Sequence, residues 1–222
     1  MMEWGWSLLF PKHCVGCSTW LADETEWMIA CEPCALDWPE LHGKFGSMVM
    51  KERCRMAYAA TGFRLRTQAE LNAQLGAMKY GGNRWLARQW GMWLGQKVPP
   101  PAHGDCQLVL VPVPLHWRKQ WKRGYNQAEW IARGIARVWR CEVASKLLSR
   151  RHHHDSMTGM NRSDRAGVTR NLYTVTSSTW SSPAIFVVVD DVMTTGATLA
   201  ACGSALKQSG LNWFGGITLA LA

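Results

Sequence analysis

The sequence predicts an α/β protein, a parallel sheet flanked by helices, behind a small N-terminal module built on cysteines. Three observations carry this. Apolar strand-like runs alternate with helical stretches from about residue 55 onward, two Cys-x2-Cys pairs stand in the first 45 residues, and one long apolar run ends in adjacent carboxylates. Strands separated by helices argue for parallel pairing, because a crossover is needed to bring the chain back in the same direction.

The chain of 222 residues has room for one well-buried α/β unit and an accessory module, but not for two full-sized domains. Hydrophobic residues make up 47% and charged residues 18%, the balance of an ordinary globular protein. No uninterrupted apolar run reaches the roughly 18 residues of a membrane span, so no membrane insertion is expected. The opening MMEWGWSLLFPKHC has neither a basic leader nor a small-residue cleavage site, and a cytoplasmic location is the expectation.

Residues 1–45 form the first predicted unit, short and rich in Cys and Trp, with no useful periodicity. Cys14-x2-Cys17, thirteen residues, and Cys31-x2-Cys34 give the spacing of a four-thiolate zinc-ribbon-like site. Four protein ligands close the coordination sphere, so this zinc is expected to be structural. A reducing compartment favours thiolates over disulfides. Cys54 stands alone after the module, while Cys106, Cys141 and Cys202 read as small buried side chains.

The second unit, 55–222, opens with an extended segment at 58–63 and helices at 68–78 and 84–95. Residues 98–105, Val-Pro-Pro-Pro-Ala-His-Gly-Asp, are rich in breakers and mark a surface connection. A strand at 108–113 and a helix at 127–139 follow, then a strand at 143–148 and a polar basic loop at 150–170. A strand at 184–189, a helix at 197–208 and a strand at 213–221 complete the alternation.

The formal net charge is +9, and thirteen basic residues stand between Arg118 and Arg170 against four acidic ones. Such a block suits a pyrophosphate compound, a nucleic acid or plain solvation, and charge alone does not choose. Trp117, Trp121 and Trp130 are interleaved with these basic residues, a mixture able to stack on single-stranded nucleic acid, although packing roles suit most of the 14 tryptophans. The run His152 to His154 reads as solvated, since neighbouring side chains diverge.

The most informative stretch is Ile185 to Leu199. An unbroken apolar run, buried on both faces of a sheet, ends in Asp190 and Asp191 and passes through Thr194-Thr195-Gly196-Ala197-Thr198 into a helix. Gly196 permits close approach, the hydroxyls donate, and a helix N-terminus favours negative charge, so the loop suits a phosphate monoester. Carboxylates beside a phosphate nest fit one ligand type well: a ribose 5-phosphate, with its diol on the carboxylates and its phosphate in the nest.

VVVDDVMTTGATL resembles the signature of the type I phosphoribosyltransferases, which bind 5-phosphoribosyl pyrophosphate (PRPP) with magnesium. The resemblance implies PRPP contacts at Asp190, Asp191, Thr194, Thr195, Gly196, Ala197 and Thr198, with the two aspartates also in the catalytic role. Val113 and Pro114, after the apolar strand Leu110-Val-Pro-Val, resemble the first loop of that fold, where backbone approaches the pyrophosphate.

Lys122-Arg123-Gly124-Tyr125-Asn126-Gln127-Ala128 resembles the RGxNQA stretch of the ComF family, the competence-associated phosphoribosyltransferase-like proteins that include GntX, and there Arg123 is placed to reach a phosphate. Met78-Lys79-Tyr80-Gly81-Gly82 also resembles a segment of that family, and reads independently as a helix C-cap stopped by Gly81. Residues 150–173 resemble its flexible loop through Ser163-Asp-Arg165 and Arg170-Asn171-Leu172, with the histidine run where the family has Thr and Gln. The paired cysteines have their counterpart there too.

The resemblance implies a PRPP-dependent transferase with magnesium, an unidentified nucleobase as acceptor, and a part in DNA uptake or the use of extracellular DNA as a nutrient. The alternatives are a non-catalytic PRPP- or nucleotide-binding component of the competence machinery, partnered by DNA-uptake proteins, and direct DNA binding.

Overall fold

The structure, a computed structural model, describes residues 14, 19–20, 43–65, 75–76, 78, 83–151, 172–176, 180 and 183–222. Its elements are α1 (Gly43–Cys54), β1 (Tyr58–Arg64), α2 (Arg84–Lys97), β2 (Gln107–Pro112), α3 (Trp117–Arg123), α4 (Gln127–Trp139) and β3 (Glu142–Val143). They continue with β4 (Leu148–Arg150), β5 (Tyr173–Val175), β6 (Ala184–Met193), α5 (Ala197–Gln208) and β7 (Trp213–Leu221). Five strands form one sheet in the order β1-β7-β6-β2-β3, parallel at every pairing, and β4 pairs antiparallel with β5 outside it. The predicted α/β class and parallel sheet hold.

The alternation of side chains along β6 divides the core. Ile185, Val187 and Val189 enter one cluster with Trp90 and Leu94 of α2 and Ile131 and Ile135 of α4. Phe186 and Val188 enter the other, with Met50 of α1, Leu199 and Leu206 of α5, and Tyr173. All five residues are at most 4% exposed, as a central strand covered on both faces must be. At roughly 1.5–3 kcal/mol for each large apolar side chain buried, this strand anchors the fold.

Handedness explains which helix goes where. The steps from β1 to β2 and from β2 to β3 cross the sheet in one direction, and the step from β6 to β7 crosses in the other. Right-handed crossovers then put α2 and α4 on one face and α5 on the opposite one. α1 packs over β1 and β7 on the α5 side. It falls between the two predicted units.

α2 and α4 cross almost backbone to backbone. A Cβ on Gly91 would stand 2.1 Å from the Ile131 carbonyl oxygen, and one on Gly134 would stand 2.1 Å from that of Arg88.

Several predicted boundaries shift. The strand expected at 184–189 runs on to Met193, because β7 continues beside it: Asp190 pairs with Thr218, Val192 with Ala220 and Met193 with Leu221. The strand expected at 143–148 is broken. β3 is only Glu142–Val143; the chain then turns, with Leu147 N donating to Ala144 O at 3.2 Å, and enters β4 in the second sheet. Cys106 and Cys141 are half-buried, whereas Cys202 is fully buried. Of the helix expected at 68–78, Leu75, Gly76 and Met78 are helical, and the rest lies outside the described residues.

Gly134→Ala should lower stability by about 3 kcal/mol, since the added methyl meets main chain that cannot move aside. Gly76→Ala, in open space on a helix, should be neutral or gain up to about 1 kcal/mol. Urea unfolding of both variants checks the contrast.

Candidate functional site

Helices on opposite faces after β2 and β6 create a crevice between the carboxyl ends of these neighbouring strands, the place where open α/β sheets take ligands. Val113 N donates to Val189 O at 2.9 Å, which is the last bond between the two segments. Past it, β6 pairs with β7 alone while the chain after β2 turns away. Asp190 and Asp191 stand at this divergence.

Strand alternation sends the two carboxylates to opposite faces. Asp190 is on the α5 face. There burial pushes the Tyr173 phenol up to about 12, with Cys202 and the Asp190 carboxylate adding to the rise and Arg150 opposing it. Arg150 also lies over the Tyr173 ring, its Cζ 6.0 Å from the centroid. Asp191 is on the α4 face, where burial pushes the Tyr125 phenol up to about 12; Gln127 and Arg123 lower it and Asp191 raises it. Both aspartates are half-buried.

After Met193 the chain makes the predicted turn. Thr194 and Thr195 are exposed, and Gly196 is buried with φ 85°, a left-handed conformation that glycine adopts without strain. Gly196 is the N-cap of α5 and offers no side chain to it, while the Thr195 hydroxyl accepts from Ala197 N at 3.3 Å. The segment Thr194–Thr198 is therefore a loop entering a helix whose dipole favours an anion, beside the carboxylate strand end.

The segment from Arg123 to Ala128 builds the other wall. Gly124, at φ 75°, ends α3. The Tyr125 hydroxyl shares its proton between the carbonyls of Met78 at 2.5 Å and Asn83 at 3.2 Å, tying the wall to the start of α2. Asn126 caps α4 by accepting from Ala128 N at 3.1 Å, and its Nδ2 donates to Val113 O at 3.0 Å. One side chain thus starts a helix and fixes the loop after β2. Arg123 Nη1 donates to Gln127 Oε1 at 3.1 Å, which holds the guanidinium near the Tyr125 and Asp191 side.

Between Val113 and this wall sits α3, with no buried residue and four basic ones. Trp117 is 52% exposed and Trp121 88%. Trp130, one turn into α4, lies between Arg84 and Arg133, whose Cζ atoms are 5.5 and 5.6 Å from its ring centroid.

The structure thus brings Asp190, Asp191, Val113, Pro114, Arg123 and the Thr194 to Thr198 loop to one end of the sheet. Of the predicted zinc ligands, Cys14 is buried, and Cys17, Cys31 and Cys34 lie outside the described residues, as do His152 to His154 and Lys79 to Gly82. Arg53 is a neighbour of the site that the sequence reading did not place there, whereas Arg150 and Tyr173 are the two ends of the basic loop it did single out. Arg150 and Tyr173 are brought in by three-residue strands too short to leave a periodic trace. Two cavities, of about 440 and 570 Å³, lie along the β3 edge around Lys146 and Arg137, and neither includes a residue of the strand-end crevice.

No family model matches the chain. Among curated proteins it is 32% identical over 105 residues to Competence protein F of Haemophilus influenzae, covering 47% of this chain and 46% of that protein. It is 28% identical over 101 residues to DNA utilization protein YhgH of Escherichia coli, covering 46% and 44%. A match of the same kind is found with YhgH of Salmonella typhimurium, 28% identical over 101 residues. The aligned part is under half the length of these relatives, whose names concern competence and DNA utilization.

Asn126→Ala should cost about 1–2 kcal/mol through the lost cap, with the Val113 tie lost as well. Thermal unfolding reads the cost. Asn126→Asp, which keeps the acceptor, should recover most of the cap but not the donor to Val113.

Proposed function

We propose that the crevice binds PRPP with magnesium and that the protein is a phosphoribosyltransferase, or a close derivative, acting in DNA uptake or utilization through nucleobase salvage in the cytoplasm. The observation that carries the reading is the carboxylate strand end and the glycine turn sharing the crevice between β2 and β6. Asp190 and Asp191 accept hydrogen bonds from the ribose hydroxyls, and the amides and hydroxyls of Thr194 to Thr198 hold the 5-phosphate. Val113, held at both backbone groups by Val189 and Asn126, and Pro114 set the course of the loop on the pyrophosphate side, and Arg123 adds charge.

Carboxylate and phosphate oxygens are the donor set that magnesium prefers, and the ion would neutralise pyrophosphate charge. In the reaction the bond from the anomeric carbon to the pyrophosphate oxygen breaks with its electron pair leaving on oxygen. A nitrogen of the acceptor base forms the new bond to that carbon, and its proton leaves to solvent. The carboxylates stabilise positive charge developing on the ribose, and no protein nucleophile is needed. Cys14, Cys17, Cys31 and Cys34 would hold a structural zinc in thiolate coordination.

Calorimetric titration of PRPP with magnesium tests the site. Wild type should bind, and Asp190→Asn with Asp191→Asn should lose binding by at least about a hundredfold; a folded wild type that binds nothing would falsify the reading. For zinc, metal analysis of the purified protein should give about one equivalent, lost when Cys31 and Cys34 become Ser. A folded chain without metal removes that part.

The exposed Trp117 and Trp121 on a helix whose four charged residues are all basic support a second reading, a nucleic-acid contact within the uptake machinery. It requires affinity for single strands that falls steeply with salt and survives loss of both aspartates. Filter binding at low salt decides it.

A further inference from the structure

α1 ends directly against the loop between β6 and α5. Arg53 Nη1 donates to the Thr194 carbonyl oxygen at 2.6 Å, and Cys54 Sγ donates to that of Gly196 at 3.5 Å. These bonds span 141 and 142 residues of sequence and come from adjacent residues of one helix end. They are long-range, and they address main chain rather than side chains.

Planar trans peptides give the contact a directional meaning. In each peptide unit the C=O and the following N–H point in opposite directions, and none of the described peptide bonds is cis. Turning the Thr194 carbonyl toward α1 therefore turns the Thr195 amide away from it, while the Gly196 carbonyl also takes the first helical bond of α5, from Ala200 N at 3.0 Å, and the Ala197 amide is held by the Thr195 hydroxyl. Gly196 lets the chain pass between these two units. A Cβ there would stand 2.7 Å from Cys54 Sγ and 2.9 Å from the Met193 methyl, so α1 and the loop are in contact with no room to spare. Burial pushes the Cys54 thiol up, Arg53 opposing, which keeps it protonated as a donor must be.

We propose that Arg53, seconded by the Cys54 contact, is a positioning residue for the phosphate loop, fixing the direction of the Thr195 amide from a helix that contributes nothing to the signature itself. The inference rests on the reading of Thr194 to Thr198 as the 5-phosphate site. Oriented amides bind an anion without first paying to turn, so removing the clamp weakens the phosphate end selectively. The pyrophosphate end, on the β2 side of the crevice, has its own support in Asn126 and Val113.

The test is calorimetric titration of three probes, PRPP with magnesium, ribose 5-phosphate, and pyrophosphate with magnesium, into wild type, Arg53→Ala and Arg53→Lys. Arg53→Ala should weaken PRPP and ribose 5-phosphate by about tenfold, the worth of one charge-assisted hydrogen bond, and leave pyrophosphate unchanged. Arg53→Lys, which can still donate to the Thr194 carbonyl, should recover part of the loss. Equal weakening of all three probes would reduce Arg53 to a general structural residue and overturn the proposal, as would PRPP affinity unchanged in Arg53→Ala. A wild type that binds no PRPP would instead remove the underlying site, an outcome distinct from either.

Discussion

Residues 185–189 have almost no water on either side, and that constraint organises the molecule. A strand covered on both faces must lie inside the sheet, with its backbone satisfied by a neighbour on each edge and its side chains met by helices above and below. β2 and β7 supply the edges, and α2, α4, α1 and α5 supply the covers. The site arises where this symmetry fails. β2 departs after Val113, β7 stays to Leu221, and the half-sheltered strand between them lets carboxylates leave the core without losing their backbone partners.

Direction of travel does the rest. Because β2 feeds a helix on one face and β6 a helix on the other, the two chain segments peel apart and the space between them opens toward solvent. The glycine contact between α2 and α4 keeps one side of that space rigid, and the Tyr125 hydroxyl links the start of α2 to the loop before α4. Opposite faces for Asp190 and Asp191 follow from strand geometry rather than from any special arrangement. Each carboxylate therefore has its own neighbourhood, Tyr173 and Cys202 for the first, Tyr125 for the second.

What the sequence made legible was whatever had a strong period or a sharp stop. α4 begins at an Asn cap and runs with a clear apolar stripe, and α5 and β7 follow a glycine turn and a loop; their bounds are those the sequence suggested. α3 buries nothing, so no apolar stripe announces it. α1 carries two glycines and a scattered apolar pattern, and its burial comes from the sheet it covers. The break after β3 is set by the Ala144 to Leu147 turn, which the apolar spacing of 143–148 conceals. At the site, the residue types and the turn were readable because one segment carries them. The support from Arg53 was not, since such a neighbour is joined only by the fold.

The contact of α1 with the glycine turn bears on where this architecture can be cut. A fragment starting at residue 55 would retain every residue of the signature and all five strands of the sheet, and would be recognised by its motif as a self-sufficient unit. It would lack Met50, the cover over Thr61 and Thr218, and both donors that reach the loop. Motif and module do not coincide here: the sheet and the helix before it pack as one unit, and a cut that respected only the signature would keep the letters of the site without its shape.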